Sequence, residues 1–165
     1  MSLLTSAVAA VIVDPAGRVL LCQQSQGHRL WGLPGGKIRN GESPIHAVIR
    51  DVLEETGAEI EIIDLVGIYH LTSNGSGPDL PDVLMHAFRA RVASGDVAVN
   101  SPGRICRLCW HETAALPEPM TATTRAAIAD AVAGRSGVLR DVHRDVEPEI
   151  PDADADDAVL TAVAA

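Results

Sequence analysis

GKIRNGESPIHAVIRDVLEETGA, residues 36 to 58, decides how the rest of this chain is read. Ser43 followed by Pro44 predicts a helix start: the hydroxyl accepts an orphan amide hydrogen bond, and proline at the first helical position gives up no donor the helix needs. Gly57 predicts the stop. Between them Ile45, Val48, Ile49, Val52 and Leu53 recur at the spacing of a single buried stripe, which leaves Asp51, Glu54 and Glu55 on the other side. Asp51 is then a helical neighbour of both glutamates, and each like-charge pair costs roughly 0.2–0.5 kcal/mol. The three also crowd the negative end of the helix dipole, where a cation would gain about 0.3–1 kcal/mol. A solvated acidic face is one reading. The loop before the helix favours another: Leu33-Pro34-Gly35-Gly36 makes a tight turn, and Gly36 has no side chain to keep its carbonyl from a ligand. A carbonyl beside clustered carboxylates is the oxygen donor set of magnesium or manganese.

The same residues resemble the signature of the Nudix hydrolases. That signature runs glycine, five residues, glutamate, seven residues, arginine-glutamate, an aliphatic, any residue, two glutamates, any residue, glycine, aliphatic. Gly36, Glu42, Arg50, Val52, Glu54, Glu55 and Gly57 fit it at every interval. Two positions depart: Asp51 stands where the family has glutamate, keeping the charge on a shorter reach, and Ala58 replaces a larger aliphatic. By element order the resemblance extends over roughly residues 5 to 135 and stops there.

Composition bounds the remaining possibilities. The 165 residues suit one domain with a sizeable core. The net charge of −9 is concentrated at the end: residues 141–165 carry eight acids against Arg144, which leaves −2 for everything before them. A near-neutral body argues against a groove for a nucleic-acid polymer, which needs a basic face, and only Trp31, Tyr69, Phe88 and Trp110 are able to stack on a base. Three cysteines make no disulfide framework. Cys106 and Cys109 lie in RICRLCW, which alternates as a strand and points the pair to opposite faces, against zinc or redox use. The apolar run Leu3 to Val13 lacks a basic start and is too short to span a membrane. The expectation is a cytoplasmic protein with no membrane partner.

In chain order, Ala7 to Val13 and Arg18 to Gln23 predict a hairpin through Asp14-Pro15-Ala16-Gly17. Leu30 to Leu33 leads into the glycine turn, with Trp31 either packing or flanking a substrate, and Lys37 and Arg39 either facing phosphate or solvated. Ala58 to Tyr69 predicts a strand kinked at Gly67, residues 72–82 a surface loop, and Val83 to Val92 a strand holding His86 as a core or wall residue. A short edge at Val97 to Val99, a turn over 100–103 and a strand Ile105 to Trp110 follow. A helical turn from Thr113 then breaks at Leu116-Pro117, and a helix spans Thr121 to Ala133. Residues 1–137 thus read as one domain and 138–165 as an acidic tail. Two readings of that tail stand: a loosely held segment, or an arm that packs its apolar AVLTAVAA end on a neighbouring subunit of a homodimer.

Elements in this order suit an α/β (α+β) arrangement, and the resemblance implies the Nudix α/β/α sandwich with a mixed β-sheet. It further implies a metal-dependent hydrolase that cleaves a diphosphate linkage in a nucleoside diphosphate derivative or nucleoside triphosphate, with Mg2+ or Mn2+ as cofactor. Asp51, Glu54, Glu55 and the Gly36 carbonyl would hold metal, Arg50 would orient the carboxylates and Glu42 would brace the loop. Related enzymes have a further acid downstream. Here Arg104 and Arg107 fall in that region, which leaves the general base open, with Glu112 and Asp82 as candidates. The alternative is a Nudix-like nucleotide-binding or sensor module that has lost turnover.

Overall fold

The computed structural model describes residues 4–72 and 81–144. Strand β1 (Thr5–Ile12) is an interior strand covered on both faces, and its sequence explains why: AVAAVI is apolar at every position. Ala7, Ala9 and Val11 enter one core, and Val8, Ala10 and Ile12 enter the other. Its two edges are taken by β4 (Gly35–Lys37), antiparallel, and β6 (Val83–Ser94), parallel. Beyond β6 come β5 (Glu59–Thr72), antiparallel, and β8 (Val138–His143), parallel, so the five-stranded mixed sheet runs β4-β1-β6-β5-β8. A second, antiparallel sheet holds β3 (Trp31–Gly32), β2 (Val19–Gln24) and β7 (Ile105–His111).

Helix α1 (Pro44–Thr56) packs on β1, β4 and β5 across one core, and α2 (Ala122–Val132) on β5, β8 and β1 across the other. This is the expected α/β/α layering with a mixed sheet. Capping of α1 follows the sequence: Ser43 Oγ accepts from the His46 amide at 3.1 Å, and Gly57, at φ 73°, donates its amide to Leu53 O.

Several expectations are corrected. The predicted hairpin does not pair: β1 has no free edge, so β2 diverges into the second sheet and a single bridge, Val13 to Val19, joins the two runs. Residues 97–99 form no strand: the Ala98 amide turns to the end of α1 and donates to Thr56 O at 3.0 Å. Residues 113–115 make a turn rather than helix, with Ala115 N on Glu112 O. Residues 138–143, read as the beginning of the tail, form β8 on the sheet edge. The kink at Gly67 coincides with a register shift in the β5–β6 ladder, and a Cβ there would lie 2.6 Å from Val138 O. Most of the predicted loop, 73–80, and the tail from 145 lie outside the described residues.

Asp130 fixes β8 in place. Its carboxylate is 1% exposed and accepts from Tyr69 Oη at 2.9 Å, Arg135 Nη1 at 2.9 Å, and Arg140 Nε and Nη2 at 2.7 and 2.6 Å. Hydrogen bonding from Arg140 leads the forces that hold its pKa well below the usual carboxylate range. One buried charge thereby ties α2, β5 and β8 together. Among the described residues no helix is long and apolar enough to cross a membrane.

Candidate active site

The buried face of α1 is rotated from the predicted stripe. Val48 and Val52 are buried as expected, but Ile45 and Leu53 are 52% and 43% exposed, while Asp51 is 3% and Glu55 0% exposed. Two of the three acids therefore sit inside the protein, against the glycine turn. Burying a carboxylate is costly unless donors or cations meet it, and the surrounding chain supplies both.

Arg50 does so for the outer part of the cluster. Its guanidinium donates to Glu42 through Nε (2.7 Å) and Nη2 (2.9 Å), to Asp51 Oδ1 at 3.0 Å, to Glu54 Oε2 at 3.1 Å and to the Lys37 carbonyl at 3.3 Å. The fork on Glu42 is the planar, bidentate geometry that arginine offers and lysine does not. Glu42 Oε1 also accepts the Arg39 amide, closing the 39–42 turn that leads into the helix. The bond from Arg50 holds the Glu42 carboxyl down at about 2 and raises the pKa of Arg50 itself. Glu54 is the solvent-side member, its side chain 41% exposed, with Arg39 3.5 Å away.

The inner part is balanced differently. Glu55 Oε2 accepts the Gly35 amide at 3.2 Å, and Glu55 Oε1 accepts from Arg104 Nη2 at 3.0 Å. Burial nevertheless dominates and pushes the Glu55 pKa up to about 8, with Arg104 opposing and Asp51 assisting the rise. Asp51 is raised too, first by burial, against the pull of Arg50 and Arg104. Its Oδ1 has Arg50; its Oδ2 is buried with no hydrogen-bond partner among the described residues. That orphan oxygen faces Gly36, where a Cβ would lie 2.8 Å from it. Glycine at 36 and aspartate at 51 are therefore fitted to each other.

These residues suit a hard cation on three counts: an orphaned buried carboxylate oxygen, a second carboxylate whose charge burial opposes, and a glycine turn with no Cβ of its own to fill the space beside them. Among the described residues no three His, Cys, Asp or Glu side chains already converge as a metal cluster, since Glu54 turns outward to Arg50 and Arg39.

The other sequence candidates are distributed around this centre. Lys37 contributes its carbonyl to Arg50, and Arg39 lies at the exposed rim. Trp31 is 7% exposed and packs in the core, edge-on to His111 with ring centroids 5.0 Å apart. Asp82 lies within 3.2 Å of His70 Nε2, and Glu112 is exposed. His86 Nδ1 is 3.0 Å from Ala7 O, a wall position. The cysteines are free. A cleft of about 970 Å3, lined by Val11, Val13, Trp110 and Ile128 among others, shares no residue with the carboxylates.

Sequence reasoning missed the contact of Arg104 with Glu55. The available signal was charge: a helix ending in three acids with no basic residue in its last turn needs a cation from elsewhere.

Comparison with known proteins points to one family. The NUDIX domain model matches residues 3–131. A MutT-like protein of Streptomyces ambofaciens is 40% identical over 68 residues, 41% of this chain and 44% of that protein. The CTP pyrophosphohydrolase of Escherichia coli is 34% identical over 71 residues, 41% of this chain and 53% of that enzyme. The chain thus spans about half the length of these curated relatives. The crystal structure of a MutT NUDIX hydrolase from Burkholderia pseudomallei superposes with a TM-score of 0.71 at 30% identity, covering 78% of this chain and 98% of that one. With the glycine-to-glycine spacing folded into one turn and one acidic helix, and the domain model running through most of the described residues, this chain belongs to the Nudix family.

Proposed function

We propose that this protein is a divalent-metal-dependent pyrophosphohydrolase that cleaves a diphosphate linkage in a nucleoside triphosphate or a nucleoside diphosphate derivative. The observation that carries the reading is the buried, unpartnered Oδ2 of Asp51 beside Gly36 and Glu55. Asp51, Glu54, Glu55 and the Gly36 carbonyl would hold the cation, Mg2+ or Mn2+. When bound, it supplies neutralisation of phosphoryl oxygens and a water of lowered pKa, the two things a diphosphate in water lacks.

The protein's own residues supply placement. Arg50 holds Asp51 Oδ1 and Glu54 Oε2 on one guanidinium, fixing the relative positions of two ligands. Glu42 locks Arg50 from behind, so the orientation is set before substrate arrives. Arg39, at the exposed rim, and Lys37, the last residue of β4, would meet phosphate charge. Trp31, inside the core, acts through packing.

A nucleotide-binding module without turnover is the second reading, and the Arg104–Glu55 ion pair is what favours it. Phosphate release over a panel of nucleoside triphosphates and nucleoside diphosphate derivatives, with Mg2+ and with Mn2+, separates the two. Turnover by wild type that disappears in Glu55→Gln supports the hydrolase. Nucleotide binding with no turnover above that variant on any panel member supports the module.

A further inference from the structure

The carbonyls at the end of α1 are met by one short loop. Glu54 O accepts from Asn100 Nδ2 and from Ser101 Oγ, both at 3.0 Å, and Glu55 O accepts from the Asn100 amide at 2.9 Å. Thr56 O accepts from the Ala98 amide at 3.0 Å. The loop then closes on itself, with Arg104 N on Ser101 O, and its carbonyl is held by Ser25 N. A segment docked this way on a helix end has little freedom in where it delivers its next side chain. That side chain is Arg104, and its guanidinium lies 3.0 Å from Glu55 Oε1, the oxygen that Gly35 leaves open.

Resting on the reading of Glu55 as a metal ligand, we propose that Arg104 is the resident counter-cation of the metal-free site, and that Arg104 and the divalent metal compete for Glu55. Asp51 and Glu55 are buried at the negative end of a helix, and the ionised form of Glu55, the form that takes metal, is favoured there by a positive partner. The partner has to leave Glu55 Oε1 when a second cation arrives, since like charges sharing one oxygen repel. The Arg104 side chain is 35% exposed, so the released guanidinium has solvent to enter. Arg104 thus sets metal affinity without itself being a ligand.

The test is a Mn2+ titration followed by the electron paramagnetic resonance signal of free Mn2+, with no nucleotide present. It uses the full chain as wild type, Arg104→Met, Arg104→Gln, Arg107→Met and Glu55→Gln. Giving up one charge-assisted hydrogen bond on metal entry corresponds to roughly tenfold in affinity, so Arg104→Met should bind Mn2+ about tenfold more tightly than wild type. Arg104→Gln, which keeps a donor on Glu55 without the charge, should also bind Mn2+ more tightly than wild type, though by less than the methionine variant, and serves should that variant not fold. Arg107→Met, which removes an exposed charge three residues along the strand, should stay within about twofold of wild type.

Equal or weaker binding by the Arg104 variants, or equal tightening in Arg107→Met, overturns the competition. A merely structural Arg104 would loosen the loop on removal and would not tighten metal. Should wild type bind Mn2+ no better than Glu55→Gln, the metal reading fails and this inference with it. Binding that is lost in Glu55→Gln but unchanged on removing Arg104 overturns this inference alone.

Discussion

Replacing Glu55 with glutamine should abolish hydrolysis and also change how stability depends on pH, and the second effect can be calculated. The folded protein holds the Glu55 proton with a pKa of about 8 against an ordinary value of 4.5. The folded state therefore binds that proton more tightly than the unfolded chain. Its contribution to stability is fully present below about pH 4.5 and is lost as pH rises through about 8. At roughly 1.36 kcal/mol per pH unit, that interval is worth up to about 5 kcal/mol. Glutamine keeps the size and cannot ionise. In EDTA at about pH 5 the variant should match wild type to within about 1 kcal/mol, the worth of a changed hydrogen bond. By about pH 9 it should be the more stable protein by several kcal/mol. Urea unfolding of both proteins at intervals across that range gives the difference directly, and groups common to both cancel. A difference that stays constant across the range would refute the placement of Glu55 as an ionisable group in a dry site. Mg2+ at about a hundred times its dissociation constant should add roughly 2.7 kcal/mol to wild type, and should add much less to the double variant Glu54→Gln/Glu55→Gln.

Three further outcomes are expected. Gly36→Ala places a Cβ 2.8 Å from Asp51 Oδ2, so the carboxylate must swing aside; thermal melts should show a small loss of stability and a much smaller shift on adding Mg2+ than in wild type. Asp130→Asn removes the charge shared by Arg135, Arg140 and Tyr69, and should cost about 2–3 kcal/mol by denaturant unfolding, a figure reduced because both arginines are partly solvated. Gly67→Ala drives a Cβ to within 2.6 Å of a backbone oxygen of β8; it should cost about 1–3 kcal/mol and speed hydrogen exchange at the amides of 138–143.

Local signals were legible in the sequence, and contacts between distant segments were not. Ser43, Pro44 and Gly57 announce both ends of α1, and the apolar run from Ala7 announces a strand. The face that α1 buries was misjudged because periodicity weighs only apolarity. Ile45 looks like core and Glu55 looks like surface until Arg104, 49 residues later, is brought to it. The hairpin failed for a related reason: pairing depends on which edges remain free, and β6, far along the chain, claims one edge of β1. Strand β8 was hidden because Val138 to His143 carries Arg, Asp and His on an edge, which in a linear reading merges with the acidic run after it.

That edge strand has a practical consequence for anyone preparing the protein. The family match stops at residue 131, and a version trimmed there would look complete by homology. It would lack Arg135 and Arg140, leaving Asp130 buried with Tyr69 and without either guanidinium, and it would bare β5 from Gly67 to Thr72. An uncovered strand edge is a template on which other copies can pair. Such a preparation should precipitate during purification even though every residue of the carboxylate cluster is present. The last rung of the ladder pairs His143 with Thr72, and the Arg144 amide still donates to Thr72 O at 2.8 Å, so a cut that keeps this edge covered falls after Arg144.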